Sequence, residues 1–437
     1  MERLYDKLKA YSESDFYAFH MPGHKRNKTL LGIELPYDLD ITEIDGFDDL
    51  HHADGILKEE QERAARVFGA EESHFLVNGS TAGILSAVMG CTHRGDKILV
   101  ARHCHKSIYH AIYMNGLVPR YVYPEFDISM HMNGEISKED VAKALAAEPD
   151  IKAVVIVSPN YDGVVSDVKG IAEVAHSYRI PLIVDEAHGP HFGFHPAFPG
   201  RANDLGADVV INSLHKTLPS LTQTAILHIN GKLANRRRIK KYLDMLQSSS
   251  PSYIFMASLD ACVDFLDGKC EEAFELYVER LQKFREELKP LQHLQILRTE
   301  HYDISKVVIS TANANITSPE LADRLRKEYH LEMEMTGGTY VLAMTTVADT
   351  QEGLNRLKAA LLEIDDQLEA KTAVSGSIEI SGELPRLEQY FTPQEAAERE
   401  EDGEAEEIPW KESEGHISLE YAYLYPPGSP VIVPGER

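Results

Sequence analysis

Cysteine is scarce in this chain: four among 437 residues, Cys91, Cys104, Cys262 and Cys270. They form no Cys-x-x-Cys pair and show no metal-ligand spacing, so reduced thiols in a cytoplasm are the default and a disulfide framework is excluded. No stretch approaches 18 uninterrupted apolar residues, which argues against a membrane-spanning helix. The N-terminal MERLYDKLKAYSESDF has no apolar signal core and reads as an amphipathic helix, so secretion is not expected. Positive charge is also in deficit: 44 Lys and Arg against 70 Asp and Glu leave a net charge of −26. Such a surface repels nucleic acid and anionic membrane. The compact basic run, Arg236-Arg237-Arg238 with Lys240 and Lys241, reads as a solvated helix face. Neither Gly-x-Gly-x-x-Gly nor a P-loop occurs, which weakens nucleotide readings.

What is present is an ordinary globular composition, 43% hydrophobic and 26% charged, with length for two or three domains. From about Leu57 short apolar runs alternate with amphipathic stretches: HFLV, KILVAR, PRYVYPEF, KAVVIVSP, IPLIVDEAH, ADVVINS and TQTAILHI. Bounded, β-branched runs of this kind predict an α/β fold, a mainly parallel sheet with helices on both faces. Beyond about residue 250 a long helical region leads into KVVIST, a helix from Ser318 to about Tyr329, LEMEMTGGTYVLAMTT and a last helix, which predicts a smaller α+β domain. The expected division is 1–55 as an N-terminal segment, 56–250 as the large domain, 251–370 as the small domain and 371–437 as a C-terminal domain. Residues 395–415 carry net −8 and read as a solvated surface, whereas the aromatic YAYLYPPGSPVIVPGER is expected to pack on the body.

Four features carry potential chemistry. Lys216, in Ser213-Leu214-His215-Lys216-Thr217, follows a buried strand, and open α/β sheets place ligands at that edge. A crowded lysine sheds its proton and can form a Schiff base; the bland alternative is a surface lysine. Asp185 ends another apolar strand and could pair with a protonated ring nitrogen, or could simply cap a helix. Asn78-Gly79-Ser80-Thr81-Ala82-Gly83, between strand and helix, offers backbone N–H groups and two hydroxyls as a phosphate cradle, or a plain capping turn. His105, after KILVAR, could stack on an aromatic cofactor, or cap the next helix. Together these are the requirements of pyridoxal 5′-phosphate: an aldehyde trap, a counter-ion for the pyridinium, a phosphate anchor and a face to hold the ring. Their order along the chain is that of the aspartate-aminotransferase-like fold.

FHMPGHKRN, DITEIDGFDDLHH, VNGSTAGIL, HCHKS, DEAHGPHFGF and SLHKTLPSLTQTA resemble the Orn/Lys/Arg decarboxylase family, and ISGELPRLEQYFTPQEAAE with YAYLYPPGSPVIVPGE resembles its C-terminal domain. The resemblance implies a fold type I enzyme in which Lys216 is the Schiff-base lysine, Asp185 meets the pyridine nitrogen and His105 stacks on the ring. It places Gly79, Ser80, Thr81, Ser213 and His215 around the phosphate, with Ala187 and His188 beside the cofactor. Ser249 and Ser250 of QSSSPSYIF match a segment that reaches the neighbouring subunit's phosphate, which implies a homodimer. A short form without the N-terminal receiver-like domain is expected. His188 stands where some relatives have a bulky aromatic, so contacts at that ring edge should differ.

The implied reaction is decarboxylation of lysine, arginine or ornithine to an amine that feeds polyamine formation. An aminotransferase or lyase of the same fold is the nearest alternative. A metal hydrolase is a remote one, suggested by Asp185, His188 and His191 in DEAHGPH, with spacing that fits no familiar metal motif. A basic substrate needs acids around its distal cation, because an unpaired buried charge is costly. The candidates are Asp45, Asp48 and Asp49 in the N-terminal acidic loop and Glu332 and Glu334 in LEMEM, although each taken alone reads first as a solvated surface acid.

Overall fold

The computed structural model describes residues 3–29, 32–128, 132–297, 301–370, 383–423 and 428–437. The expected start of the C-terminal domain at 371, and residues 424–427 of the aromatic tail, lie outside the described residues. Seven strands form the central sheet: β1 (Glu72–Leu76), β2 (Lys97–Ala101), β3 (Val118–Val122), β4 (Val154–Val157), β5 (Leu182–Asp185), β6 (Val209–Asn212) and β7 (Ala225–Ile229). Their spatial order is β1-β7-β6-β5-β4-β2-β3. The pairs from β6 across to β3 are parallel, and β7 alone runs antiparallel to both of its neighbours. β4, β5, β6 and β7 are buried along their whole length, as continuous Val/Ile/Leu runs must be when both sheet faces are covered.

Parallel connections bring the carboxyl ends of β1, β2, β4, β5 and β6 to one edge, and the antiparallel β7 begins there. The loops after Leu76, Ala101, Asp185 and Asn212 therefore converge. The helix Gly79–Cys91 drops from that edge along the sheet. Gly83 packs so closely that an added Cβ would meet the Leu76 side chain at 2.6 Å and Ile211 at 3.3 Å. Gly90 of the same helix lies against the helix Arg236–Leu246, where a Cβ would approach the Ile239 backbone to 2.9 Å.

The long helical region expected after residue 250 consists of two helices, Tyr253–Leu266 and Glu271–Glu287. Asp267-Gly268 turns the chain between them, with Gly268 at φ +81°, which only glycine adopts freely. A second core joins these helices to Leu4, Leu8, Ile41 and Phe47 of the N-terminal segment. The smaller sheet holds β8 (Gln295–Ile296), β9 (Lys306–Ser310), β10 (Met335–Thr336) and β11 (Tyr340–Met344) in the order β8-β9-β11-β10, all antiparallel. The C-terminal segment returns to the large sheet: Val433 is fully buried in its core, and Arg102 meets Glu436 at 2.8 Å.

Candidate active site

The site is built from the ends of β5 and β6, which pair in parallel with Asp185 opposite Ile211. Asp185 does not cap a helix. It is the last residue of its strand, buried, and accepts from the Ala187 amide at 3.1 Å. Burial pushes its carboxyl pKa up, and the Lys216 charge and the Ala187 amide oppose that. Lys216 sits on the single helical turn Leu214–Thr217 that follows β6. Burial lowers its pKa below the ordinary lysine value, while Asp185 and Glu334 act against the fall. Desolvation thus prepares this amine to be neutral and nucleophilic.

Around Lys216 stand three histidines. His105 caps the helix Lys106–Met114, its Nδ1 accepting from the Ser107 amide at 3.3 Å, and its ring lies within the field of Lys216. Burial drives its pKa down to about 4, with Lys216, Lys106 and His110 adding to the fall, so it presents a neutral ring. His215 meets the Thr224 carbonyl through Nδ1 at 2.9 Å. His188 Nε2 lies 2.9 Å from Lys216 Nζ.

The cradle also lies at this edge. Gly79 takes φ +72°, donates its amide to the Gln223 carbonyl at 2.9 Å and has open space where a Cβ would stand. Asn78 supplies no side-chain cap, so beyond the Gly79 amide the N–H groups and hydroxyls of Ser80 and Thr81 are left to meet an anion. The Ser213 hydroxyl, two residues beyond Ile211, is buried without a hydrogen-bond partner. An orphaned hydroxyl and an uncapped helix start at the same sheet edge fit a phosphate, and a buried aspartate with a desolvated lysine fits the ring and aldehyde of pyridoxal 5′-phosphate.

Sequence reasoning missed Lys306, the first residue of β9, which is fully buried. Its Nζ lies 2.9 Å from His188 Nδ1 and 5.8 Å from the centre of the Tyr161 ring. Burial pushes it down to about 8 with help from the Lys216 charge, against Asp303, Glu334 and Asp162. The signal was available: a lysine heading an otherwise apolar strand is rarely buried without a task. Asp303 in turn binds His191 Nε2 at 3.1 Å, and His191 Nδ1 meets Thr217 at 2.9 Å. With His191 so engaged and His188 between two lysine amines, DEAHGPH presents no ligand set for a cation.

The acidic candidates separate. Asp48 accepts from the amides of Asp54, Gly55, Leu57 and Lys58 and so serves the start of the helix Ile56–Val67, and Asp49 caps the turn at Leu50–His52. Asp45 is exposed, and Glu332 lies by Arg326. Glu334 alone of the five acts on both Lys216 and Lys306, and it accepts from the Tyr161 hydroxyl. Ser249 and Ser250 are exposed on the loop after the helix Arg236–Leu246, next to Ser248, whose carbonyl lies 2.9 Å from His51 Nε2.

A mainly parallel sheet with these groups at its carboxyl edge belongs to the aspartate-aminotransferase-like class. In keeping with this, the chain superposes on alanine–glyoxylate aminotransferase from Nostoc sp. with a TM-score of 0.58 at 15% identity, over 70% of this chain and 86% of that one. Likeness is greater to the lysine decarboxylase of Francisella novicida, with a TM-score of 0.84 at 20% identity, over 100% of this chain and 74% of that one. Residues 3–308 match the family described as Orn/Lys/Arg decarboxylase, major domain, and residues 382–437 match its C-terminal domain. The arginine decarboxylase of Bacillus subtilis (strain 168) is 34% identical over 449 residues, 99% of this chain and 90% of that one. The chain belongs to the Orn/Lys/Arg decarboxylase family.

Proposed function

We propose that this protein decarboxylates a basic amino acid with pyridoxal 5′-phosphate, and that arginine is the first candidate substrate given the likeness to the Bacillus subtilis enzyme. The observation that carries the reading is the meeting of buried Asp185, desolvated Lys216 and the orphaned Ser213 hydroxyl at one sheet edge. When bound, the cofactor supplies an aldehyde that captures amines and a ring that takes up the electron pair left as CO₂ departs.

The chain's own residues do the rest. Gly79, Ser80, Thr81, Ser213 and His215 would hold the phosphate, and His105 would offer the ring a neutral imidazole. Asp185 would hold the proton on the ring nitrogen, and Ala187 and His188 would lie beside the cofactor. Glu334, exposed at the mouth of the site, is the acid best placed to meet the distal cation, and a guanidinium would engage it through two N–H groups. The overall reaction takes up one proton at the α-carbon and releases one CO₂. The product amine would feed polyamine formation in the cytoplasm, and the working unit is a homodimer in which Ser249 and Ser250 reach the partner's phosphate. The division at 55, 250 and 370 is kept as the domain scheme.

Two measurements test this. Purified protein given pyridoxal 5′-phosphate should gain a visible absorbance that is missing in Lys216→Ala. Assays on the twenty amino acids should release CO₂ from arginine, lysine or ornithine, whereas keto-acid formation without CO₂ would mean an aminotransferase.

A further inference from the structure

His191 is the histidine of DEAHGPH that the proposed function leaves without a task, and both of its ring nitrogens are engaged inside the protein. Nε2 lies 3.1 Å from Asp303 Oδ1, and Nδ1 lies 2.9 Å from Thr217 Oγ1. All three side chains are buried. Asp303 also accepts from the Ser305 amide at 2.9 Å and the Ser305 hydroxyl at 2.7 Å, and its own amide donates to the Gly163 carbonyl at 2.9 Å. The carboxylate is thus the acceptor in this group and takes the Nε2–H, which leaves the Nδ1 lone pair for the Thr217 hydroxyl. The Phe198 ring stands edge-on to the imidazole, with centroids 4.8 Å apart at 85°, and so limits its rotation.

Thr217 follows Lys216 and is the last residue of the single turn Leu214–Thr217. One helical turn fixes several backbone angles for few hydrogen bonds and does not hold its shape unaided. Upstream the turn is anchored by Asn212, whose Nδ2 donates to the Glu186 carbonyl and carboxylate, both at 3.0 Å, across the ends of β5 and β6. Downstream the Thr217 hydroxyl ties it, through His191 and Asp303, to the segment that leads into β9. We infer that His191 and Asp303 are positioning residues that act through Thr217 on Lys216, holding the turn at the rotation that aims the amine at the cofactor's aldehyde. There Lys216 Nζ forms a C–N bond, and its two protons leave with the carbonyl oxygen as water. That capture needs the reacting atoms about 3–3.5 Å apart, and a displacement of about 1 Å costs about a hundredfold. This deepens the proposed function and rests on it for the aldehyde that Lys216 meets.

Two ligands, offered by calorimetry to the full chain freed of cofactor, separate the placement of the amine from the shape of the site. Pyridoxal 5′-phosphate carries the aldehyde; pyridoxine 5′-phosphate carries an alcohol in its place and cannot react with Lys216. Thr217→Val should weaken binding of the aldehyde about tenfold and leave that of the alcohol in place, and Thr217→Ser should keep both at wild-type values. Equal losses for the two ligands would mean a purely structural role and overturn the inference, as would unchanged aldehyde binding or a Thr217→Ser protein that behaves like Thr217→Val. On a His191→Phe background Thr217→Val should add no further loss, and a second loss of about tenfold overturns the link through His191. Should Thr217→Val fail to fold, Thr217→Ala, which removes the hydroxyl without setting a methyl against the ring, is read by the same criteria. If the wild-type chain binds the aldehyde no better than the alcohol, the proposed function fails, and hydrogen exchange of residues 213–218 decides the inference. Faster exchange in Thr217→Val, with rescue in Thr217→Ser, upholds it, and equal exchange overturns it.

Discussion

Replacing Arg102 by methionine tests how the C-terminal segment supports the site. Arg102 lies one residue past β2 and three before His105, and its guanidinium is fully buried. It donates to the Pro430 carbonyl at 2.6 Å, the Val431 carbonyl at 3.0 Å and Glu436 at 2.8 Å. The same turn is tied to the tail by the Lys106 amide to the Gly428 carbonyl at 3.0 Å and by the Ser429 hydroxyl to the His103 carbonyl at 2.7 Å. Methionine keeps the stem volume but leaves Glu436 buried and unpaired, which costs about 3–5 kcal/mol. At about 1.4 kcal/mol per tenfold, opening of residues 428–437 should become roughly a thousandfold more frequent.

Hydrogen exchange of that segment, followed by mass spectrometry, reads the change directly. The effect should also depend on pH. Burial already raises the Glu436 carboxyl above its ordinary value, although Arg102 opposes it. Without Arg102 the neutral form is favoured further, so the folded state binds the proton more tightly than the unfolded one. The variant's stability is then best below the unfolded carboxyl pKa and declines as pH rises through the folded one. The second replacement Glu436→Gln should recover most of the loss. Exchange within threefold of wild type at pH 8 would refute this account of the buried pair.

Lys216→Ala should abolish turnover and leave the circular dichroism unchanged, since the residue lies on a single helical turn at a sheet edge; multiple turnovers of CO₂ release would reject its role. Asp185→Asn should fail severely because an amide cannot hold a proton on the ring nitrogen, and near-normal rates would reduce Asp185 to a turn-forming residue. Sedimentation should show a dimer, and an active monomer at micromolar concentration would contradict the shared site. Burial pushes His103 down to about 4, its Nδ1 unpartnered, and His105 to about 4. Both are neutral when folded, so stability should be full above about pH 6.5 and fall as pH drops toward 4. His103→Leu should shallow that slope in melting temperatures measured across the range, and an unchanged slope would count against it.

What could be read from the chain alone was whatever depends on local pattern. Continuous Val/Ile/Leu runs such as VVIV and LIVD announced strands buried on both faces, and their alternation with helices fixed a parallel sheet. A parallel sheet gathers its carboxyl ends, so Asp185, Lys216, His105 and the Gly79 turn could be assigned to one edge before any coordinates. Tertiary structure alone decided the rest. Lys306 lies 90 positions beyond Lys216 and enters only because β9 sets its first residue against His188 in the loop after β5. The five acids looked equivalent in sequence, yet backbone amides claim Asp48 while Tyr161 holds Glu334 beside both lysines. Pairing, burial and the count of protons are properties of groups brought together from distant segments, and residue order carries no distances between them.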